Sequence, residues 1–121
     1  MVRPFLKHAN DLDSYRLNVF DQSLYRKIAD GNFHIEARID LHGLIQEEAH
    51  SVLLHFLDVA SYSGLRYALV ITGKGKGILR RVVPLWLRTY KFRCYINAFK
   101  VADRRHGGTG ALYIKLRHLQ N

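Results

Sequence analysis

Cysteine appears once in this 121-residue chain, at Cys94. A single thiol makes no intramolecular disulfide and cannot build a thiolate-rich metal site, and its apolar neighbours predict an inert buried group in a reducing compartment. Proline occurs twice and glycine nine times, against 48% hydrophobic and 24% charged residues. That balance excludes a collagen-like fibre and a wholly disordered chain. No apolar run approaches the roughly 18 residues that cross a bilayer, and no signal-like segment stands at the N-terminus. A soluble cytoplasmic protein with no membrane partner is therefore expected. Acids are scarce in the second half: residues 61–121 hold thirteen Lys/Arg and only Asp103, net +12, whereas residues 1–60 hold six Lys/Arg and nine Asp/Glu, net −3. The overall charge of +9 points to an anionic partner.

The length suits one compact domain and an arm, and a monomer is the expected state. Residues 1–35 are polar and irregular; Leu24, Tyr25 and Ile28 offer one short helical face that Gly31 would end. This arm, with Val19, Phe20, Tyr25 and Phe33, is expected to cover an edge of the main body, residues 36–121. There the pattern sharpens. Residues 35–41 alternate at period two and read as a strand ending at His42-Gly43. Ile45, Ala49, Val52, Leu53, Phe56, Leu57 and Ala60 then recur at helical spacing, predicting a helix over 45–62. Residues 67–71 are continuously apolar, as in a buried strand. Leu79, Val82, Val83, Trp86 and Leu87 give a second helix, in which Pro84 must make a kink or lie near the first turn. Residues 93–99 and 111–116 complete the order βαβαββ, an α/β fold expected to be a two-layer sandwich with its first two strands parallel. The last pair could join as a hairpin or through a wider connection.

Three segments could carry chemistry. In Asp40-Leu41-His42, a strand would turn the acid and the imidazole to one side, within reach of a phosphate or a metal. Alternatively, Asp40 caps the next helix and His42 bonds in the turn. In residues 72–77, Gly73, Gly75 and Gly77 alternate with Lys74 and Lys76, freeing backbone amides to approach an anion at the start of the following helix. The spacing fits neither a Walker A loop nor the dinucleotide fingerprint. A turn with ordinary solvated lysines is the other reading. The third segment joins Arg104, Arg105 and His106 to Gly107, Gly108 and Gly110, a flexible basic loop suited to a phosphodiester chain. Arg80, Arg81 and Arg88 leave the apolar stripe of the second helix and extend the basic surface, or form a solvated face. Trp86 and Phe56 fall on apolar stripes and should pack helices on the sheet. His8, His34, His50, His55 and His118 show no metal-ligand spacing.

Four blocks taken together resemble the Smr domain, the small MutS-related family: Ile-Asp-Leu-His-Gly at 39–43, Ile-Thr-Gly-Lys-Gly at 71–75, Leu-Arg-Arg-Val-Val-Pro-Leu-Trp-Leu at 79–87, and Gly-Gly-Thr-Gly-Ala-Leu-Tyr-Ile-Lys-Leu at 107–116. The preceding arm resembles the extension of stand-alone bacterial members. The resemblance implies a fold like the C-terminal domain of a bacterial translation initiation factor. It also implies binding of DNA or RNA, some members acting at stalled or collided ribosomes, and in many members endonuclease activity. It places the Asp-Leu-His motif on Asp40, Leu41 and His42, the central motif on Gly73, Lys74 and Gly75, and the late glycine motif on Gly108, Thr109 and Gly110. Many relatives carry His where this chain has Thr72, which implies a different division of labour or weaker activity.

The expected nuclease site is thus Asp40, His42 and Lys74 as catalytic residues. Gly73, Gly75, Lys76, Arg80, Arg81, Arg104, Arg105, His106, Gly108 and Gly110 would hold nucleic acid. Asp40 is the candidate ligand if Mg²⁺ or Mn²⁺ takes part; no organic cofactor is expected. For RNA the attacking group could be a neighbouring 2′-hydroxyl, which needs no metal; for DNA it must be water. A non-catalytic nucleic-acid or ribosome-binding module would use the same basic surface, and a small-molecule phosphate enzyme would need a deep pocket instead.

Overall fold

The computed structural model describes residues 15–118, and residues 1–14 of the expected arm, with His8, and residues 119–121 lie outside them. Helix α1 (Gln22–Ala29) is followed by strand β1 (Ala37–Asp40), helix α2 (Gln46–Tyr62), strand β2 (Tyr67–Ile71), helices α3 (Ile78–Leu87) and α4 (Tyr90–Arg93), strand β3 (Ile96–Val101) and strand β4 (Ala111–Leu116). The single sheet has the order β1-β2-β4-β3. β1 and β2 are parallel, as the intervening helix requires, and β4 runs antiparallel to both β2 and β3. β3 and β4 are therefore neighbours, joined through two short 3₁₀ turns at Arg104–His106 and Gly108–Gly110.

Period-two alternation divides the sheet into two apolar faces. Ala68, Val70, Ile96, Leu112, Ile114 and Leu116 meet Leu53 and Leu57 of α2, Leu79, Val83 and Leu87 of α3, and Phe92. The opposite face presents Leu69, Ala98, Ala111 and Tyr113 to Phe20, Leu24 and Ile28. The N-terminal segment was expected on an edge; it lies across a face, because β2, β3 and β4 each carry apolar residues on both sides. α1 thus adds part of a third layer to the two-layer core. Phe33 stacks on Tyr67 with ring centroids 5.7 Å apart, while Val19 is 93% exposed and covers nothing.

Two other expectations are revised. Residues 93–95 do not belong to the third strand: Thr89 starts the short α4, and the turn drives Phe92 into the core beside His50 and Trp86. Pro84 stands inside α3, where the carbonyl of Arg80 receives no bond from it. Trp86 and Phe56 pack against the core as their stripes predict. Cys94 is buried and free, and desolvation pushes its thiol up to about 11, so it is no nucleophile at neutral pH.

Candidate active site

Register brings three loops to one end of the sheet. Asp40 at the end of β1 pairs with Ile71 at the end of β2, and Ile71 pairs with Ala111 at the start of β4. The segments after β1, after β2 and before β4 therefore converge, at the C-terminal edge where α/β sheets bind ligands.

Leu41 is fully buried and anchors the first loop, and Gly43, at φ 83°, turns the chain toward α2. The strand ends at Asp40, so a turn, not the pleat, brings acid and imidazole together. Asp40 Oδ1 accepts the His42 backbone N–H at 3.0 Å and lies 2.7 Å from His42 Nδ1. These two bonds, the ring bond first, hold the Asp40 carboxyl below its ordinary range. An ionised carboxylate only accepts, so Nδ1 carries the hydrogen and the neutral ring offers its lone pair at Nε2. Nε2 has no partner among the described residues, and the side chains of His42 and Asp40 are 69% and 49% exposed. The pair forms, and it forms in a turn, but Asp40 does not cap the next helix: the N-cap of α2 is Ile45, with no side-chain bond.

The second loop lies directly against this pair. Gly73 has φ 80°, and a Cβ on it would stand 2.9 Å from His42 Cβ. Its N–H and that of Thr72 both donate to the Gly110 carbonyl, at 3.0 and 2.8 Å. A Cβ on Gly110 would in turn meet Lys74 Cγ at 3.0 Å and the Gly73 carbonyl carbon at 3.1 Å. Gly73 and Gly110 are glycines because three backbones approach here. Thr72 is buried, with Oγ1 3.4 Å from the Gly73 carbonyl, so this position presents no proton carrier to solvent.

Gly77, at φ 78°, caps α3 without a side-chain bond, and no acid stands in the first turn of α3. The orphan N–H groups and the positive end of this helix stay open to an anion. The Arg80 guanidinium lies over Gly77, with one nitrogen 2.7 Å from where a Cβ would stand. At α2, by contrast, Glu47 and Glu48 complement the helix end. His42, Gly43, Leu44 and residues 72–79 line an open recess of about 330 Å³. Lys74 and Lys76 are exposed at this recess, and Arg81 is exposed on α3.

The third loop is divided. Arg104 is exposed, and Gly108 and Gly110 are buried at the convergence. Arg105 is held by Asp30 and Asp103, each at 3.0 Å, and so ties the loop to the end of α1 instead of offering a free fork. His106 Nδ1 bonds the Tyr113 hydroxyl. Burial and the charge of Arg38 lower its pKa, leaving it neutral near pH 7. Arg88 is spent on the Pro84 carbonyl and the Phe99 ring. Arg38 is a residue that motif reading passed over. It lies two positions before Asp40, on the same side of β1, exposed; the alternation of residues 35–41 carries that signal.

Asp40 and His42 would touch a divalent cation, but among the described residues no three His, Cys, Asp or Glu side chains gather around one point. One carboxylate and one imidazole would hold Mg²⁺ or Mn²⁺ only together with water and substrate phosphate oxygens. A second groove, of about 410 Å³ at the other end of the sheet, is lined by Arg66, Lys115, Arg117 and His118 and holds no acid–imidazole pair. No helix among the described residues is long and apolar enough to cross a membrane.

The convergence defines an α/β domain in which glycine-rich, cationic loops adjoin an ordered Asp–His pair. The family model of the Smr domain matches residues 39–117, and the chain belongs to that family. It is 33% identical over 96 residues to a protein of Tolumonas auensis named ribosome rescue factor SmrB, covering 78% of this chain and 53% of that one. The protein of the same name from Klebsiella pneumoniae is 34% identical over 89 residues, covering 74% and 47%. The chain thus spans about half the length of the curated relatives it matches. Among solved structures, YdaL, a stand-alone small MutS-related protein from Escherichia coli, superposes with a TM-score of 0.65 at 30% identity, covering 81% of this chain and 77% of its own. The Smr domain of Thermus thermophilus MutS2 gives 0.62 at 32%, covering 67% and 98%.

Proposed function

We propose that this protein is an endonuclease that cleaves single-stranded RNA by attack of a neighbouring 2′-hydroxyl, with Asp40 and His42 as its acid–base pair. The carrying observation is the Asp40–His42 contact abutting Gly73, which sets a proton acceptor at the rim of an anion-holding recess. His42 Nε2 takes the 2′-hydroxyl proton, the 2′ oxygen bonds to phosphorus, and the bond to the 5′ oxygen breaks. The departing oxygen takes a proton from water in the open recess. Asp40 keeps the ring in the right tautomer. Lys74 and the amides of residues 74–79 offset charge on the phosphoryl oxygens. Products are a 2′,3′-cyclic phosphate and a 5′-hydroxyl.

RNA is favoured over DNA because a 2′-hydroxyl beside the phosphate needs only a proton acceptor, which His42 Nε2 offers, whereas hydrolysis of DNA needs an activated water. The SmrB relatives are named ribosome rescue factors, and the likeness to the C-terminal domain of a translation initiation factor that the family resemblance implies fits the same RNA-rich setting. We extend the reading to a monomer working in the cytoplasm on ribosome-associated RNA. The alternative, a binding module that does not cut, draws on one observation: Thr72 is buried where many relatives place an imidazole.

The test incubates purified protein with end-labelled single-stranded RNA, single-stranded DNA and duplex DNA, each with EDTA, Mg²⁺ and Mn²⁺. Cyclic-phosphate ends on RNA in EDTA, lost in Asp40→Asn and His42→Ala, are expected. Salt-dependent binding with no product in any arm would favour the binding module, and cleavage of DNA restored only by a metal would overturn the 2′-hydroxyl route.

A further inference from the structure

The recess at the glycine loop continues into a second groove of about 450 Å³ between the starts of α2 and α3, lined by Leu44, Ile45, Gln46, Glu47, Ile78 and Leu79. Leu44, Ile78 and Leu79 line both, so the two form one surface. Ile45 is 70% exposed and Ile78 42%, large aliphatic side chains left in water beside a charged site. Both line this groove, and each belongs to an aliphatic pair that follows a glycine of positive φ, Gly43 or Gly77. We propose that this groove binds the nucleobase of a nucleotide adjoining the phosphate held in the glycine-loop recess.

The division of charge fixes the direction. On the α3 side stand Lys74, Lys76, Arg80 and an uncapped helix end without acids. On the α2 side stand Glu47 and Glu48. Phosphate belongs on the first side, and an uncharged, flat, apolar-faced group on the second. Ile45 and Ile78 supply contact to the base faces, and the groove matches the mostly apolar lining with few polar groups that small-ligand sites use. Its polar groups are the Gln46 amide and the Glu47 carboxylate. A carboxylate accepts from an exocyclic amino group, so the site prefers adenine, cytosine or guanine over uracil, which has no amino group and flanks its one ring N–H with two carbonyl oxygens.

This inference rests on the phosphodiester reading, and its test separates the two. A DNA oligonucleotide with a single ribonucleotide confines 2′-hydroxyl attack to one bond. Removing the base from one of the two nucleotides flanking that bond should lower the single-turnover rate of the wild type about tenfold, the scale of one lost base contact. In the Ile45→Ala/Ile78→Ala variant the intact and abasic substrates should be cut at equal rates, equal to the wild-type rate on the abasic one. Glu47→Gln should flatten the preference for amino-bearing bases. These residues are exposed, and thermal melting checks that the variants fold. If the wild type cuts nothing, the nuclease reading has failed, and the same series is read by fluorescence anisotropy: base discrimination lost in the variant still supports the subsite. A wild-type to variant ratio unaffected by base removal at either position, in rate or in affinity, overturns it.

Discussion

Placing methyl groups one at a time at the glycines of the convergence tests whether the three loops are held by close backbone approach. Gly75 has no heavy atom within 4 Å of a built Cβ and no positive φ, so Gly75→Ala should change stability by no more than about 0.5 kcal/mol. At Gly110 the methyl meets Lys74 Cγ at 3.0 Å and the Gly73 carbonyl carbon and oxygen at 3.1 and 3.2 Å. Part of that contact is backbone, so it cannot be relieved by a rotamer change. The loops must part by some tenths of an ångström, an overpacking cost of about 1–3 kcal/mol. They part where Thr72 and Gly73 donate to the Gly110 carbonyl, so the strain falls on those bonds too. Gly73→Ala adds the left-handed backbone cost of about 1–2 kcal/mol to a 2.9 Å contact with His42 Cβ, and should be the least stable of the three. Urea denaturation gives the order. The same displacements move Lys74 and His42 against the bound phosphate, and misplacement approaching 1 Å costs about a hundredfold in rate. Gly75→Ala should keep near wild-type cleavage, while the other two lose tenfold or more even at temperatures where they are fully folded. Equal stability and activity of Gly110→Ala and Gly75→Ala would refute the close-approach account.

Asp40→Asn keeps the shape of the turn but removes the ionised acceptor, so cleavage should fall by about a hundredfold or more while RNA affinity measured by anisotropy is unchanged or slightly improved. Ile28 is 1% exposed under the second sheet face, and Ile28→Ala should cost about 2–5 kcal/mol in urea denaturation. Asp103 is held at about 2 by its bonds to the Arg105 side chain and backbone, below its ordinary 3.8. A depressed carboxyl contributes stability that is complete above the ordinary value and disappears as pH falls through the folded one, so amides of α1 should lose hydrogen-exchange protection between pH 4 and 2, and Arg105→Ala should abolish that step. If Lys74, Lys76, Arg80 and Arg104 make the phosphate contacts, the logarithm of affinity for single-stranded RNA should fall against that of salt concentration with a slope of about −3.

Much of the fold is legible in the sequence. β2 and β4 have the bounds that their apolar runs predict, and α2 follows its stripe to within a residue, because each pattern reports burial against one neighbour. The third strand starts later than its pattern predicts: Arg93, Cys94 and Tyr95 look like strand residues, and only the packing of Phe92 against His50 and Trp86 explains a helical turn there. That contact is long-range and leaves no local trace. The arm was misplaced for a similar reason. Whether Leu24 and Ile28 cover an edge or a face depends on how much of the sheet α2 to α4 leave bare, which no single segment records. At the site, the motif residues declared themselves by type and spacing. The pairing of Arg105 with Asp30 did not, since 75 residues separate them. Exposed Arg38 is signalled only by the alternation of the first strand, since no motif contains it.

The lopsided charge of the chain takes on a more exact meaning once its partners are known. Several cations of the basic half hold the fold together: Arg88 bonds the Pro84 carbonyl, Lys100 lies over Tyr25 and bonds Gln22, Arg105 bridges two acids, and Arg117 donates to the Arg93 carbonyl. The net +12 of residues 61–121 therefore overstates the grip on a ligand. What is left around the convergence is local: lysines on the glycine loop, Arg80 over Gly77 and exposed Arg104. The acidic half stands beside them, with Asp40 turned to its own histidine and Glu47 in the adjoining groove at the start of α2. A long phosphate chain drawn by the wide field would thus be held tightly at one short stretch, between a cationic wall that takes the phosphate and an acidic wall that cannot. On the proposed function, the contrast between the two halves of the sequence, seen first as a change in composition, would orient the scissile nucleotide in the folded chain.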